Sequence, residues 1–423
     1  MNKNNNKPKK YALDSSATFY PYFTTHKTQS MFCVGAVLND VVDKQVLENA
    51  VNDAILRFPL YKTRVRRGLG AYYLQENGAH VKVFDLDNRV LIPINKKLTN
   101  RYQFRLSCGG RRVKLEIFHA LTDANGAVKF LSAILRRYRE LQGVEFAEDC
   151  AIDKCNDPVP ASELEDSFKR YSKLVPKSAL DLKGMAGGAS HRIRGTIRKD
   201  GYMLDERDLE VVGLIEKSKA AGVSATAYIA GVVGYSILKS SRVKKPIVLM
   251  VPVNLRKIFP SDTASNFVTF VRLIIKKGEC KTLDDCVQSC AKQLAEKATK
   301  DKMGAFISTT VRAQKNIILR CVPLFLMWIF VRLGRLFMKS RQTMIISNMG
   351  NISLPSELGV EKLTFNLNVS KNNVQNLAAI SYGGNCRLTF TSAIEELTVP
   401  NAVFDTLVSQ GINVAKVDFN CQN

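Results

Sequence analysis

Residues 112–141 leave this chain the least conformational choice. Arg112, Lys114 and Glu116 alternate with Val113, Leu115 and Ile117 before Phe118, the two-residue period of a strand with one buried face. Phe130, Leu131, Ile134, Leu135, Tyr138 and Leu141 then recur at helical spacing. Between them the chain turns through residues 120–126, so a strand feeds directly into a helix. His119 keeps the parity of Val113, Leu115 and Ile117 and is expected to point inward at the C-terminal end of the strand.

The remaining elements are read the same way. Leu47, Ala50, Val51, Ala54, Ile55 and Phe58 predict an amphipathic helix over 46–58, capped by Asp43 and stopped by Pro59. Strands are expected at 31–38, 64–65, 71–74 and 81–84, separated by Gly and Asn turns. From 148 to 190 the pattern weakens around Pro158, Pro160, Pro176 and the glycines at 184–188, which marks a crossover. A boundary near residue 185 would separate an N-terminal unit, 1–185, from a C-terminal unit, 186–423. The second unit predicts helices over 205–221, 224–238, 283–296 and 401–414, with Pro400 at the start of the last. Its strands are expected at 247–253, 267–275, 343–347, 363–369, 377–382 and 387–392. Strands and helices do not strictly interleave, so the fold class is α/β in two similar halves, mixed sheets packed with helices.

The chain has 423 residues, enough for two or three domains at about 100–200 residues each. Its 62 Lys and Arg against 38 Asp and Glu leave a net charge of +24, which favours polyanions at the surface. The positive charge is split into clusters at Arg64, Arg66 and Arg67, at Arg136, Arg137 and Arg139, and at Arg192, Arg194, Arg198 and Lys199. Without a nucleic-acid motif or one continuous basic stripe, nucleic acid is not an expected partner. Ten scattered cysteines include no CxxC pair, and four histidines are too few for a multi-histidine centre, so no metal site is expected. The polar N-terminus lacks a secretory apolar segment, which points to the cytoplasm and reduced thiols. Residues 317–337 are apolar but contain Arg320, Arg332 and Arg335. Their longest uncharged run, 321–331, is 11 residues, against the roughly 18–20 needed to span a bilayer. They read as a buried helix or as one lying on an anionic membrane surface, a peripheral contact at the inner face.

Among the histidines, only His119 stands in an ordered constellation, His119-Ala-Leu-Thr-Asp123-Ala-Asn-Gly126. A histidine at a strand end can show one ring nitrogen to a cavity while the turn gives its other nitrogen a backbone partner, which sets the tautomer of a general base. Asp123 suits an ion pair that holds the turn. Gly126 allows close backbone approach where the helix starts.

These residues resemble the HxxxDxxG motif of the chloramphenicol acetyltransferase-like superfamily, which includes plant BAHD acyltransferases, condensation domains and bacterial alcohol acetyltransferases. The opening Tyr11-Ala-Leu-Asp14-Ser-Ser, the helix end Leu56-Arg57-Phe58-Pro59-Leu60, Pro252-Val-Asn254-Leu-Arg256 and Ile346-Ser347-Asn348-Met-Gly350 extend the likeness over most of the chain. The resemblance implies two subdomains around a central cleft or tunnel with His119 at its middle. It also implies acyl transfer from a thioester, acyl-CoA as co-substrate rather than bound cofactor, to a hydroxylated small molecule or lipid. His119 would be the general base, with no covalent intermediate. Asp123 would pair with Arg256 beside Asn254, and Ser347 and Asn348 would line the cleft near the oxyanion. Phe118 stands where condensation domains carry a second histidine, and the plant DFGWG motif is absent, so the alcohol acetyltransferase branch is the nearest pattern. A monomer is expected. The alternatives are a non-catalytic or membrane-associated lipid- or acyl-binding member of the fold, and an N-acyl or condensation-type transferase.

Overall fold

The computed structural model describes residues 7–25, 29–87, 90–174, 188–315, 326, 341–370 and 373–417. The boundary expected near residue 185 and, apart from Leu326, the stretch 317–337 lie outside them.

The described strands form three sheets, numbered here in chain order. The first has the order Val360–Leu367 (β12), Met31–Leu38 (β2), Arg112–Phe118 (β7), Phe104–Gly109 (β6), Val83–Asp85 (β5). The second runs Val268–Ile275 (β10), Ile247–Asn254 (β9), Met344–Asn351 (β11), Gln375–Tyr382 (β13), Asn385–Ser392 (β14), Met203–Glu210 (β8), Val414–Lys416 (β15). A small third sheet joins Lys10–Ala12 (β1), Tyr72–Glu76 (β4) and Thr63–Arg67 (β3). Most pairs are antiparallel, but β5–β6, β9–β11 and β11–β13 are parallel, giving the mixed α/β architecture expected.

The helix expected over 46–58 is α1, Lys44–Ala54, continued by a 3-10 turn at Ile55–Arg57. Asp43 caps it by accepting from the backbone N–H groups of Gln45 and Val46. It packs beside α2, Ala124–Leu141, over the first sheet.

Two strands depart from the sequence reading in burial or in type. β7 was expected to bury one face, yet all seven of its residues are buried. Its charged face is covered by the rest of the fold: Glu116 pairs with Arg105 and accepts from the Leu91 N–H at 2.6 Å. Residues 205–210 were expected to begin a helix, but they belong to β8, and the helix starts at Val211. The segment is charged and favours helix locally; pairing with β14 and β15 overrides that preference. Its acids are neutralised in place, as Arg387 donates to both oxygens of Asp208 at 2.7 and 2.9 Å.

The two sheets are bound together by the chain's own crossing. β12 comes from the second half of the sequence yet pairs along β2 in the first sheet. Along β13, Ala378 and Ile380 enter one hydrophobic core while Leu377 and Ala379 enter the other, because successive side chains of a strand face opposite ways. Lys362 on β12 adds an ion pair to Asp208 on β8 at 3.0 Å.

Candidate active site

His119 follows the last residue of β7 and donates its backbone N–H to Ser30 O at 2.8 Å. Its Nδ1 lies 2.8 Å from the side-chain oxygen of Asn266. One partner is therefore a side chain from the second half of the chain, beside the local backbone of His119 and Thr122 anticipated from the turn. The Asn266 amide nitrogen donates to Asp14 Oδ2 at 2.8 Å and to the His119 carbonyl at 3.0 Å. Both of those groups are acceptors, so the nitrogen must face them and the oxygen must face His119. Nδ1 consequently carries the ring hydrogen, and Nε2 keeps its lone pair.

Asp14 anchors this relay. Its Oδ1 accepts from the Ser16 N–H and hydroxyl at 2.9 Å and from the Ala17 N–H at 2.8 Å; Oδ2 also accepts from the Asn266 N–H at 3.1 Å. Burial outweighs these bonds and raises its pKa to about 6. Tyr20 stacks on the His119 ring at 4.7 Å, and Phe32 meets it edge-on at 5.0 Å. Burial lowers the His119 pKa below its ordinary 6.5, opposed first by the charge of Asp123 and then by the Asn266 bond. Neutral imidazole is the result near pH 7.

The Asp123–Arg256 pair is present, with Arg256 Nη1 2.7 Å from Asp123 Oδ2. Asp123 also caps α2, its Oδ1 accepting from the N–H groups of Asn125 and Gly126, and its Oδ2 accepts from the Phe267 N–H at 2.8 Å. Arg256 Nη2 donates to the carbonyls of Thr263 and Ser265 at 2.9 and 2.7 Å. Asp123 and Arg256 thus hold both flanks of Asn266 in the loop before β10. Asn254 supports them through its Oδ1, which accepts from the Arg256 N–H at 3.1 Å. At Gly126 a Cβ would sit 2.1 Å from Thr122 Oγ1 and 2.5 Å from the Ala264 carbonyl, so only glycine lets α2 approach this loop.

Ser347 and Asn348 lie on β11. Asn348 donates to Thr226 Oγ1 at 3.1 Å and accepts from the Gly350 N–H at 2.8 Å, and neither residue has a bond to His119 among the described residues. β11 pairs with β9 only at Met344 and Ile345 and then follows β13, so the second sheet opens between the Asn254 end of β9 and Ser347–Asn348. A cavity of about 330 Å³ abuts the relay, lined by Tyr11, Asp14, Leu60, Ala120, Leu121 and Ser265. Among the described residues, no group of three or more His, Cys, Asp or Glu side chains is placed to hold a metal ion.

Asn266 was not visible in the sequence, where it precedes β10 with no distinguishing pattern. Asp14 did stand in the opening stretch that resembles the superfamily, but nothing local linked it to a histidine 105 positions later.

No protein-family model matches this sequence, and no curated protein matches it. Solved structures do match. The epimerization domain from the third module of tyrocidine synthetase B superposes with a TM-score of 0.63 at 11% identity, covering 95% of this chain and 96% of that one. Trichothecene 15-O-acetyltransferase from Fusarium sporotrichioides gives 0.61 at 10% identity, covering 96% and 94%. The fold is the one these solved structures share. The starter condensation domain of rhizomide synthetase, solved as a double mutant with C8-CoA and Leu-SNAC, gives 0.60 at 12% identity, covering 95% and 94%. At these identities the likeness establishes the fold, which hosts more than one chemistry.

Proposed function

We propose that the protein transfers an acyl group from a coenzyme A thioester to an alcohol, with His119 as general base. The observation that carries this reading is the tautomer: Asp14 orients Asn266, Asn266 holds Nδ1–H, and a neutral ring is left with Nε2 as its only basic atom. A base fixed in that state suits deprotonation of a hydroxyl near neutral pH.

The acceptor hydroxyl would pass its proton to Nε2 as its oxygen attacks the thioester carbonyl, forming a C–O bond and a tetrahedral oxyanion. Collapse breaks the C–S bond, and Nε2–H returns the proton to the departing thiolate. The products are ester and free thiol, and no acyl-enzyme forms. The opening between β9 and β11 is our assignment for the route of one substrate, with Ser347 and Asn348 at its edge for the oxyanion. The two acyltransfer-type neighbours, the O-acetyltransferase and the CoA-bound condensation domain, support the reaction class.

Thiol release from acetyl-CoA and longer acyl-CoA, with and without a panel of alcohols and amines, tests the reading. Acceptor-dependent release that His119→Ala abolishes is expected. Donor binding without release in any combination overturns it in favour of a binding protein, and release with amines alone replaces the alcohol by an amine.

A further inference from the structure

The basic run at 192–199 plays no part at the His119 corner. Arg192 and Arg194 instead line a second cavity, of about 550 Å³, together with Arg242, Lys244 and Lys245 from the segment before β9. One carboxylate, Glu396, shares the lining, and both its oxygens accept from the Thr196 N–H, Oε1 also from the Thr196 hydroxyl. Arg194, Arg242, Lys244 and Lys245 have no acidic partner among the described residues. Converging cations without counter-charge repel one another, and an anion relieves that repulsion.

Two further features of the wall favour an anion. The helix Thr398–Ser409 begins there, with Thr398 and Val399 in the lining, and Leu397 offers no side-chain cap, so the first N–H groups and the positive end of the helix dipole face the site. The start lies earlier than the Pro400 boundary read from the sequence, which is what brings it to the cavity. His191, also in the lining, has its Nε2 buried without a hydrogen-bond partner. The site sits at the Ile247 end of β9, whereas Arg256 follows the Asn254 end. Seven strand steps, about 23 Å, separate the two ends.

We propose that this cavity binds a phosphorylated ligand of two or more negative charges, either a free diphosphate-bearing small molecule or the phosphorylated headgroup of a lipid. Arg194, Arg242, Lys244 and Lys245 supply charge-assisted hydrogen bonds, and the start of the 398–409 helix supplies backbone donors. The site does not depend on acyl transfer.

The test uses the full-length protein and reads binding, not turnover. Calorimetric titration with inorganic pyrophosphate and ADP covers the soluble source, and co-sedimentation at low salt with phosphatidylcholine vesicles, with and without phosphatidylglycerol, covers the lipid source. The Arg242→Ala/Lys244→Ala/Lys245→Ala variant removes exposed side chains and should fold normally. It is compared with Lys277→Ala/Lys281→Ala/Lys292→Ala, which removes the same charge elsewhere on the surface. Saturable binding weakened at least tenfold by the first variant and less than about twofold by the second is expected, since only the first removes charge-assisted contacts to the anion. Pyrophosphate or ADP binding with that pattern assigns a soluble ligand, and vesicle binding alone with that pattern assigns the headgroup. Equal loss in both variants, or no saturable binding of any probe, overturns the proposal.

Discussion

At the Asn254 end of the seven-stranded sheet, Asp14 and Asp123 are buried, Arg256 is nearly so, and the hydrogen bonds of all three are made within the protein. At the Ile247 end, Arg194, Arg242, Lys244 and Lys245 are exposed and have no acidic partner among the described residues. Charge at the first end is structural: it fixes where Asn266 and then His119 stand. Charge at the second end contributes nothing evident to the fold. The same contrast separates the other basic clusters, since Arg136, Arg137 and Arg139 are taken up by Glu140, Asp53 and Asp40. Net charge alone could not tell these uses apart; only the partners do.

The contrast can be broken from either side. The largest expected effect is chemical: His119→Ala should lower acyl transfer by about 10²–10⁴-fold with the fold intact by circular dichroism. Next comes Arg256→Met, which leaves Asp123 a buried carboxylate without its cation. A loss of about 3–5 kcal/mol in urea unfolding is expected, and a loss under 1 kcal/mol would make the pair incidental. Asn266→Leu frees the ring to change tautomer, and a fall in kcat of about a hundredfold is expected, together with a loss of about 1–3 kcal/mol in stability as Asp14 and the His119 carbonyl lose a donor.

The pH profile sharpens the same point. Because burial holds the His119 pKa below 6.5, kcat/KM should be level above that pH and fall on its acid side as the ring takes up a proton. The Asn266 bond raises the pKa of His119, so Asn266→Leu should also move this limb to lower pH, a shift that a merely structural role would not produce. The smallest effect belongs to the far end. Alanine at Lys244 and Lys245 together should change unfolding free energy by no more than about 0.5 kcal/mol, measured by urea titration; a large loss would show these cations to be structural after all.

Much of the scaffold was legible because its signals are local. The period of β7, the Asp43 cap, and the His119, Asp123 and Gly126 spacing each lie within a few residues. The charged strand β8 was misread as helix for the same reason, since its neutralising partners Arg387 and Lys362 lie 150 or more positions away.

The sequence by itself determined where most strands and helices arise and which histidine stands at the end of a strand. Tertiary structure decided what that histidine is. Asp14 and Asn266 are 252 positions apart, and Asp123 and Arg256 133. Such pairs exist only after two halves of the chain have packed, because periodicity constrains which face a residue takes, while its partner depends on which distant segment reaches that face.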